Sequence, residues 1–338
     1  MKRMLQGAIA LAALVAASGA QAQRDWNTII ANAKKEGTVV VYSNLVGDPT
    51  LKAIVAQFTK IYGIKVDVLE GRATEIRERT RTEQAAGRFL GDVTFTTSGQ
   101  GELIAREDKS YVNHEPTPNV KALKPQFKHD GLFAPVMNIA YGILINTNMV
   151  KPGDEPKSWA DLADPKWKGK ILSDDTRAIG GGYLMFFATL NSSLLGRSFH
   201  ERLAQNDLAF NRAMRDNTRR VGRGEYPIYI PFIYTDIINL KGLPVKSIIP
   251  KEGSPYVTYG HVVNRNAPHP NAALVYIDYW MSEEAQLMWA RTGMAITRDG
   301  LADKIPAEVR DIANAPLMGT TDINRQNEGL ALAKEIYK

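Results

Sequence analysis

The stretch SDDTRAIGGG, Ser173 to Gly182, places one arginine between a polar turn and three consecutive glycines. It follows a short apolar strand and precedes a long apolar helical pattern, so the glycines stand where a helix should begin. A helix N-terminus exposes unpaired N–H groups and a partial positive charge, and glycine lets a ligand approach that backbone closely. A guanidinium can hold a carboxylate, phosphate or sulfonate through two bonds. The stretch therefore predicts an anion site formed by Arg177, Gly180, Gly181 and Gly182.

A purely structural interpretation of the same stretch is also open. The glycines would then form an ordinary turn, because glycine is a common turn residue. Arg177 would face solvent or pair with Asp174 or Asp175. The two interpretations differ in the partner of Arg177.

The first hundred residues alternate between helical and strand patterns. Helical spacing in RDWNTIIANAKKEG is followed by the apolar strand pattern TVVVYSN, and the alternation then repeats. This order favours an α/β domain with a mostly parallel sheet, in which ligands bind beyond the carboxyl ends of the strands. The loops at three such ends supply further candidate ligand contacts, namely Ser43, Asn44, Arg72, Thr74 and Ser98.

A second alternation begins near residue 158 and predicts a second lobe. KILSD, YPIYIP and VKSIIP have strand patterns, GGYLMFFATLNSSL is an apolar helix, and FHERLAQNDLAFNRAMRDN is one amphipathic helical pattern. Two long apolar segments, LFAPVMNIAYGILINTNMV and VTYGHVVNRN, could each run between the lobes as hinge strands. We therefore expect residues 23–135 and 262–338 to form lobe 1 and residues 136–261 to form lobe 2. A solute would bind in the cleft between them, where Arg72 could complete an anion clamp with Arg177.

The N-terminus has the pattern of a cleavable export signal. Lys2 and Arg3 precede an apolar run that ends in Ala20-Gln21-Ala22, a small-x-small cleavage pattern. The run is too short to span a bilayer. Residues 1–22 are thus predicted to be a signal peptide, and the mature chain a periplasmic protein.

Composition excludes several classes of protein. The formal charge of +6 becomes +4 without Lys2 and Arg3, which leaves 40 basic against 36 acidic residues. Basic and acidic residues alternate, as in EIRERTRTE, which is typical of a solvated helix face and not of a nucleic-acid surface. The chain has no cysteine, so disulfides and thiol chemistry are excluded. We expect a monomer.

Several segments resemble one known family. SWADLADPKWKGKILSDD is similar to the pattern W-x-D-L-x-x-P-x-[WY]-K-G-K-I of bacterial extracellular solute-binding proteins. AYGILINTNMV, EQAAGRFLGDVTFTT and IIPKEGSPYVTYGHVVNRNAPHPNAALVYIDYWMSEEAQ resemble further parts of that family in the same order, over roughly residues 24 to 335. The family includes ferric-ion-, phosphonate- and sugar-phosphate-binding components of ABC importers.

The resemblance implies a type II periplasmic binding-protein fold. It also implies delivery of a solute to a membrane permease that works with a cytoplasmic ATPase. Combined with the predicted anion site, it indicates a small anionic solute, such as an organophosphate, phosphonate, carboxylate or sulfonate, and no cofactor.

The ferric branch of the family is the alternative. Fe(III) is a hard ion that prefers phenolate and carboxylate oxygens, sometimes with a histidine and a bridging anion. That branch carries adjacent tyrosines in the segment matching GEYPIYIPFIYTD, whereas here Tyr234 follows Ile233, and Tyr229 has the position of a core residue. Tyr234 is the candidate metal ligand under this alternative. The histidines show no ligand spacing: His114, His129, His200, His261 and His269.

An enzyme is not indicated. The sequence contains no G-x-S-x-G, H-E-x-x-H or G-x-x-x-x-G-K-[ST] motif. A periplasmic sensor component that binds a solute and docks on a receptor is a second alternative, since it would use the same pair of lobes.

Overall fold

The computed structural model describes residues 25–127 and 131–338. The predicted signal peptide and His129 lie outside these residues. The described helices are α1 (Trp26–Glu36), α2 (Pro49–Tyr62), α3 (Ala73–Ala85), α4 (Ser98–Glu107), α5 (Gly181–Leu190), α6 (Gly196–Ala204), α7 (Met214–Gly222), α8 (Pro270–Trp280), α9 (Glu283–Ala290), α10 (Ala307–Ala313) and α11 (Gln326–Ile336).

The strands join into one long twisted sheet that runs through both lobes. They are β1 (Thr38–Ser43), β2 (Lys65–Glu70), β3 (Val93–Thr97), β4 (Tyr111–Val112), β5 (Phe133–Asn146), β6 (Ile171–Ser173), β7 (Ala209–Phe210), β8 (Ile228–Ile233), β9 (Val245–Ile248), β10 (Ser254–Asn264), β11 (Ala295–Ile296) and β12 (Leu317–Gly319). The main path has the order β2-β1-β3-β10-β5-β8-β6-β7.

The first lobe is built on β2, β1 and β3, which are parallel. Asp48 caps the N-terminus of helix α2, because its side chain accepts hydrogen bonds from the N–H groups of Thr50 and Leu51. The helix ends at Gly63, which has a left-handed backbone conformation. Val39 and Val41 of β1 pack with Phe58 of α2 in a large apolar core. Burial of this kind is the main force that holds the lobe together.

The second lobe is built on β8, β6 and β7, which are also parallel. Its sheet is buried on both faces. Ile228 and Ile230 of β8 pack on the side of α5 and α6, and Tyr229 and Phe232 pack in a separate core on the other side. Both lobes thus have the mixed α/β architecture that the sequence predicts.

Strands β5 and β10 run through the junction of the lobes. They pair antiparallel from Val262↔Phe133 to Tyr256↔Ala140, and β5 then continues into the second lobe beside β8. These are the two long apolar segments that the sequence predicts as crossing strands. The carboxyl ends of β1, β2 and β3 in one lobe and of β6 and β8 in the other are where a solute site is expected.

Two local expectations differ from the structure. The amphipathic pattern FHERLAQNDLAFNRAMRDN does not form one helix, because the chain leaves α6 at Ala204 and forms β7 before α7. Asp207 takes φ 48° there, and the Asn206 side chain donates to the carbonyls of Leu162 and Asp164. These tertiary contacts override the helical spacing.

The C-terminal helix packs with the second core and not with lobe 1, where the sequence placed residues 262–338. Ala333 and Tyr337 lie in the same apolar core as Phe186 and Phe199. The hydroxyl of Tyr337 is 2.7 Å from Nδ1 of buried His200. This polar contact fixes the end of the chain to α6.

Candidate functional site

The N-terminus of α5 is already occupied by a carboxylate of this chain. Asp174 follows β6 directly and is 4% exposed. The N–H of Gly182 donates to Asp174 Oδ2 at 2.7 Å. Burial raises the pKa of Asp174, and the hydrogen bonds from the Gly182 and Asp175 backbone oppose that rise. An external anion predicted at this point would have to displace, or sit against, a buried carboxylate.

The close approach of Asp174 explains the glycines. A Cβ added to Gly182 would overlap the carbonyl oxygen of Asp174, so glycine is required there by packing. A Cβ on Gly181 would lie 3.0 Å from Met214 Cε and 3.4 Å from Asp174 Oδ2. Gly180 precedes the helix and is exposed. The glycines therefore make room for an internal cap.

Arg177 is held by its neighbour Asp175. Its Nε donates to Asp175 Oδ1 at 2.9 Å, its Nη2 donates to Oδ2 at 3.3 Å, and the guanidinium lies over the Phe210 ring at 4.6 Å. Burial alone would raise the pKa of Asp175, but the hydrogen bonds from Arg177 outweigh it and hold that pKa below its usual range. Arg177 therefore pairs with Asp175, as in the structural interpretation of the stretch. The side chain is about one-third exposed, but its charge is paired.

Tyr141 of one crossing strand lies near Asp174, and Tyr259 of the other crossing strand acts electrostatically on Tyr141. Tyr141 of β5 is 8% exposed, and its ring edge lies beside Gly181 at the start of α5. Tyr259 of β10 stacks on Phe95, with ring centroids 5.7 Å apart. Burial raises the pKa of Tyr141 first, and the nearby Tyr259 phenol and the carboxylates of Asp174 and Asp236 raise it further. We call Tyr141, Tyr259, Asp174 and Asp236 the phenol–carboxylate cluster.

Tyr229 lies near this cluster. It is fully buried, and its hydroxyl makes no hydrogen bond of ordinary geometry among the described residues. Burial raises its pKa, followed by the charge of Asp174. It thus adds another neutral phenol to a region with two carboxylates.

Tyr234, the predicted metal ligand, is turned into the core. It is 1% exposed, and its hydroxyl lies 2.7 Å from Ser254 Oγ. Its ring occupies the space that a Cβ on Gly142 would need. Burial raises its pKa. In this conformation the phenol is buried, and its hydroxyl is paired with Ser254 of β10.

The remaining predicted contacts lie at strand ends in the first lobe. Ser43 is buried, and its Oγ accepts from the N–H of Leu45. Asn44 keeps a buried Oδ1 with no hydrogen bond among the described residues. Arg72 and Thr74 are exposed at the start of α3, and Ser98 begins α4 beside a separate cavity. Ser43, Arg72 and Ser98 thus stand at the carboxyl ends of the adjacent strands β1, β2 and β3, in the other lobe from Arg177 and Gly180 to Gly182.

Three of the four described histidines occupy structural positions. His269 is bound to Asp92. Its ring Nδ1 lies 2.9 Å from Asp92 Oδ2, and its backbone N–H donates to Asp92 Oδ1 at 2.7 Å. Burial lowers the pKa of His200 and of His261 to about 3. Within residues 25–127 and 131–338, no three His, Asp or Glu side chains are grouped so that they could hold a metal ion.

Comparison with known proteins assigns the chain to a family. A model described as "Bacterial extracellular solute-binding protein" matches residues 102–312, more than half of the chain. The chain belongs to the bacterial extracellular solute-binding proteins. This solute-binding protein is the periplasmic component of an ABC importer and is not an enzyme. In the part of the chain that the structure describes, no helix has the length and apolar character of a membrane span.

Individual relatives agree with the family. The solute-binding protein is 27% identical over 276 residues to an uncharacterized protein of Haemophilus influenzae, with 77% of each chain covered. It is 32% identical over 123 residues to Iron uptake protein A1 of Synechocystis sp., covering 35% of this chain and 32% of the relative. A solved structure from Trichodesmium, in complex with iron and citrate ligands, has a TM-score of 0.74 at 20% identity and covers 89% of this chain and 100% of that one. That structural likeness confirms the type II periplasmic binding-protein fold.

The sequence contains a signal for Tyr141 and Tyr259, although neither tyrosine is among the predicted site residues. Each crossing strand of the solute-binding protein contains the pair Tyr-Gly, as Tyr141-Gly142 and Tyr259-Gly260. Both glycines stand where a Cβ would overlap a neighbour, Tyr234 at Gly142 and the Ala134 carbonyl at Gly260. Asp174 carried no comparable signal, because an Asp after a strand is also a common turn residue.

Proposed function

We propose that this solute-binding protein captures ferric iron at the phenol–carboxylate cluster. The observation that carries the proposal is the buried carboxylate of Asp174 at the N-terminus of α5, with the Tyr141 phenol beside it. A buried carboxylate favours a cation and disfavours an anion at the same place. Phenolate and carboxylate oxygens are the donors that a hard trivalent ion prefers.

Tyr141 and Tyr259 are the proposed phenolate ligands. Because they lie on different crossing strands, an ion held by both would link the two chain segments that join the lobes. Their pKa values are raised, mainly by burial, so both are neutral phenols without an ion. Binding would release one proton from each phenol, and Asp174 and Asp236 would supply the remaining negative charge.

The relatives support the same cargo. Iron uptake protein A1 of Synechocystis is named for iron, and the Trichodesmium structure holds iron with citrate. A small anion that accompanies the iron could pair with Arg212. This side chain is exposed and contributes positive charge near both Asp174 and Asp175. Fe(III) with a small anion would then be delivered to the permease.

An organic anion alone is the second candidate. One observation favours it: Arg177 and Arg212 both lower the pKa of Asp175, so two guanidinium groups lie near that carboxylate. A solute that displaced Asp175 from Arg177 would gain a bidentate partner. The buried Asp174 carboxylate beside them counts against this candidate.

An absorption titration tests the iron proposal. Adding Fe(III) nitrilotriacetate to the purified protein should produce the visible charge-transfer band of Fe(III) phenolate. Tyr141→Phe and Tyr259→Phe should each weaken that band and the affinity. Tyr234→Phe is the matched control, because its phenol is buried against Ser254, and it should keep the band. A saturable signal for an organic phosphonate, with no band for iron, would overturn the proposal in favour of the second candidate.

A further inference from the structure

A second cavity, of about 250 Å³, lies beside the first turn of α4. Its walls include three aromatic rings, those of Phe127, Phe133 and Tyr256, together with the polar side chains of Ser98, Glu102 and Thr258. These residues come from α4, from both crossing strands and from the short helical turn Pro125–Phe127. The cavity is therefore part of the junction between the lobes.

This cavity is separate from the phenol–carboxylate cluster. Successive residues of a strand point to opposite faces of the sheet, so Thr258 and Tyr259 of β10 face opposite sides. Tyr256 and Thr258, two residues apart, share the face of the cavity. Its ligand is thus a different one from the ion proposed above, and the inference does not depend on the proposed iron site.

The size and walls of the cavity define the body of its ligand. Its volume of about 250 Å³ is slightly below that of the smaller ligand pockets, about 300 Å³, so the ligand must be small. The Phe127 and Tyr256 rings meet edge to face, with centroids 6.1 Å apart. Phe127 and Phe133 are both almost fully buried, so the walls are firm and apolar. A small aromatic or branched aliphatic group fits such a space.

The charge of the cavity defines the head of that ligand. Among the described residues that line it, Glu102 is the one ionisable at neutral pH, and none is basic. Glu102 is exposed, so it marks the mouth and not the floor. Aromatic faces attract cations, and a carboxylate at the mouth adds to that attraction. Glu102 would repel an anionic head.

We propose that this cavity binds a small organic ammonium ion, a primary amine on a small apolar body. The body would lie among Phe127, Phe133 and Tyr256, and the ammonium group would face Glu102. Because β5 and β10 both line the cavity, a bound amine would contact both crossing strands at once. Occupancy would then stabilise one arrangement of the lobes.

Calorimetric titration with phenethylamine tests this site. Phenethyl alcohol has the same shape without the charge, so the amine should bind about tenfold more tightly. Glu102→Gln should reduce that preference to about threefold or less. Glu308→Gln, an exposed carboxylate on α10 that does not line the cavity, should leave the preference unchanged.

A variant whose side chain fills the cavity provides a second test. Thr320 also lines the space, and Thr320→Phe should abolish binding of the amine and of the alcohol alike while circular dichroism confirms the fold. The proposal is overturned if no probe binds saturably. It is equally overturned if the alcohol binds as tightly as the amine, or if Glu102→Gln keeps the full preference.

Discussion

The helices α4 and α5 begin at corresponding places in the two lobes, yet their N-termini differ in charge. Each follows a parallel strand, and each has glycine at its second residue, Gly99 in α4 and Gly182 in α5. The first turn of α4 is capped by the neutral hydroxyl of Thr97, which accepts from Gln100. The first turn of α5 is capped by the buried carboxylate of Asp174.

This difference shows that a helix N-terminus does not by itself define an anion site. The dipole and the free N–H groups are the same in both helices. At α5 they are satisfied from within the chain, and the net charge at the site becomes that of a carboxylate with phenols around it. The local cap, and not the helix, sets the sign of the charge that a solute meets.

The two second-position glycines give the largest expected contrast. Gly182→Ala forces a Cβ into the Asp174 carbonyl, and overpacking of this kind should destabilise the protein by about 3 kcal/mol. Gly99→Ala is the matched change in α4, where the nearest atom to a Cβ is Ile323 Cβ at 3.7 Å. It should be neutral or stabilising by up to about 1 kcal/mol, because alanine favours a helix. Urea unfolding of both variants measures this contrast, and equal losses would contradict it.

Acid should weaken iron binding steeply. Burial raises the pKa values of Tyr141 and Tyr259, so each phenol must lose a proton to bind Fe(III). With two protons released, affinity should fall by up to about a hundredfold for each unit that the pH is lowered, or about 2.7 kcal/mol. Competition against one chelator across pH measures the slope. Tyr141→Phe should reduce the slope by one proton, and an unchanged slope in that variant would remove Tyr141 from the ligand set.

Neutralising the cap of α5 should change which solute is preferred. Asp174→Asn keeps an oxygen for the Gly182 N–H but removes the charge, and should weaken Fe(III) binding by roughly thirtyfold, about 2 kcal/mol. The same variant should begin to bind phosphonate in calorimetry. Asp175→Asn is the control, because Asp175 pairs with Arg177, and its effect on iron should be smaller. Equal effects of the two variants would show that the cap has no special role.

Removing Arg177 should have the smallest effect. Its guanidinium is paired with Asp175 and partly exposed, and such pairs contribute at most about 1 kcal/mol. Arg177→Ala should therefore change iron affinity by less than about fivefold. A loss of a hundredfold or more in calorimetry would restore Arg177 as a direct solute contact.

Much of the fold follows from local patterns in the sequence. The apolar runs that became β1, β3, β5 and β10, and the helical spacing of α2, act over a few residues and are visible without tertiary contacts. The end of helix α6 is not visible in local patterns, because Asn206 forms hydrogen bonds there to residues more than 40 positions away. The position of α11 depends similarly on Tyr337 meeting His200.

The site was harder to predict because its contacts depend on which way each side chain points and on how deeply it is buried. SDDTRAIGGG indicates a helix start with an arginine, but not that Asp174 points inward and Arg177 pairs with Asp175. Tyr234 stands at the expected place in the chain, yet its ring packs into the core, in the space left by Gly142. Tyr141 and Tyr259 lie in the same region because their strands pair, which no local pattern encodes.

The most direct test of the account is one calorimetric comparison on the purified, metal-free protein. Fe(III) nitrilotriacetate and a small organic phosphonate would be titrated separately under the same conditions. We expect saturable binding of iron, with the phenolate band in an absorption spectrum of the same sample, and no binding of the phosphonate alone. Tight binding of the phosphonate with no uptake of iron would contradict it, and would show that the α5 N-terminus accepts an anion despite Asp174.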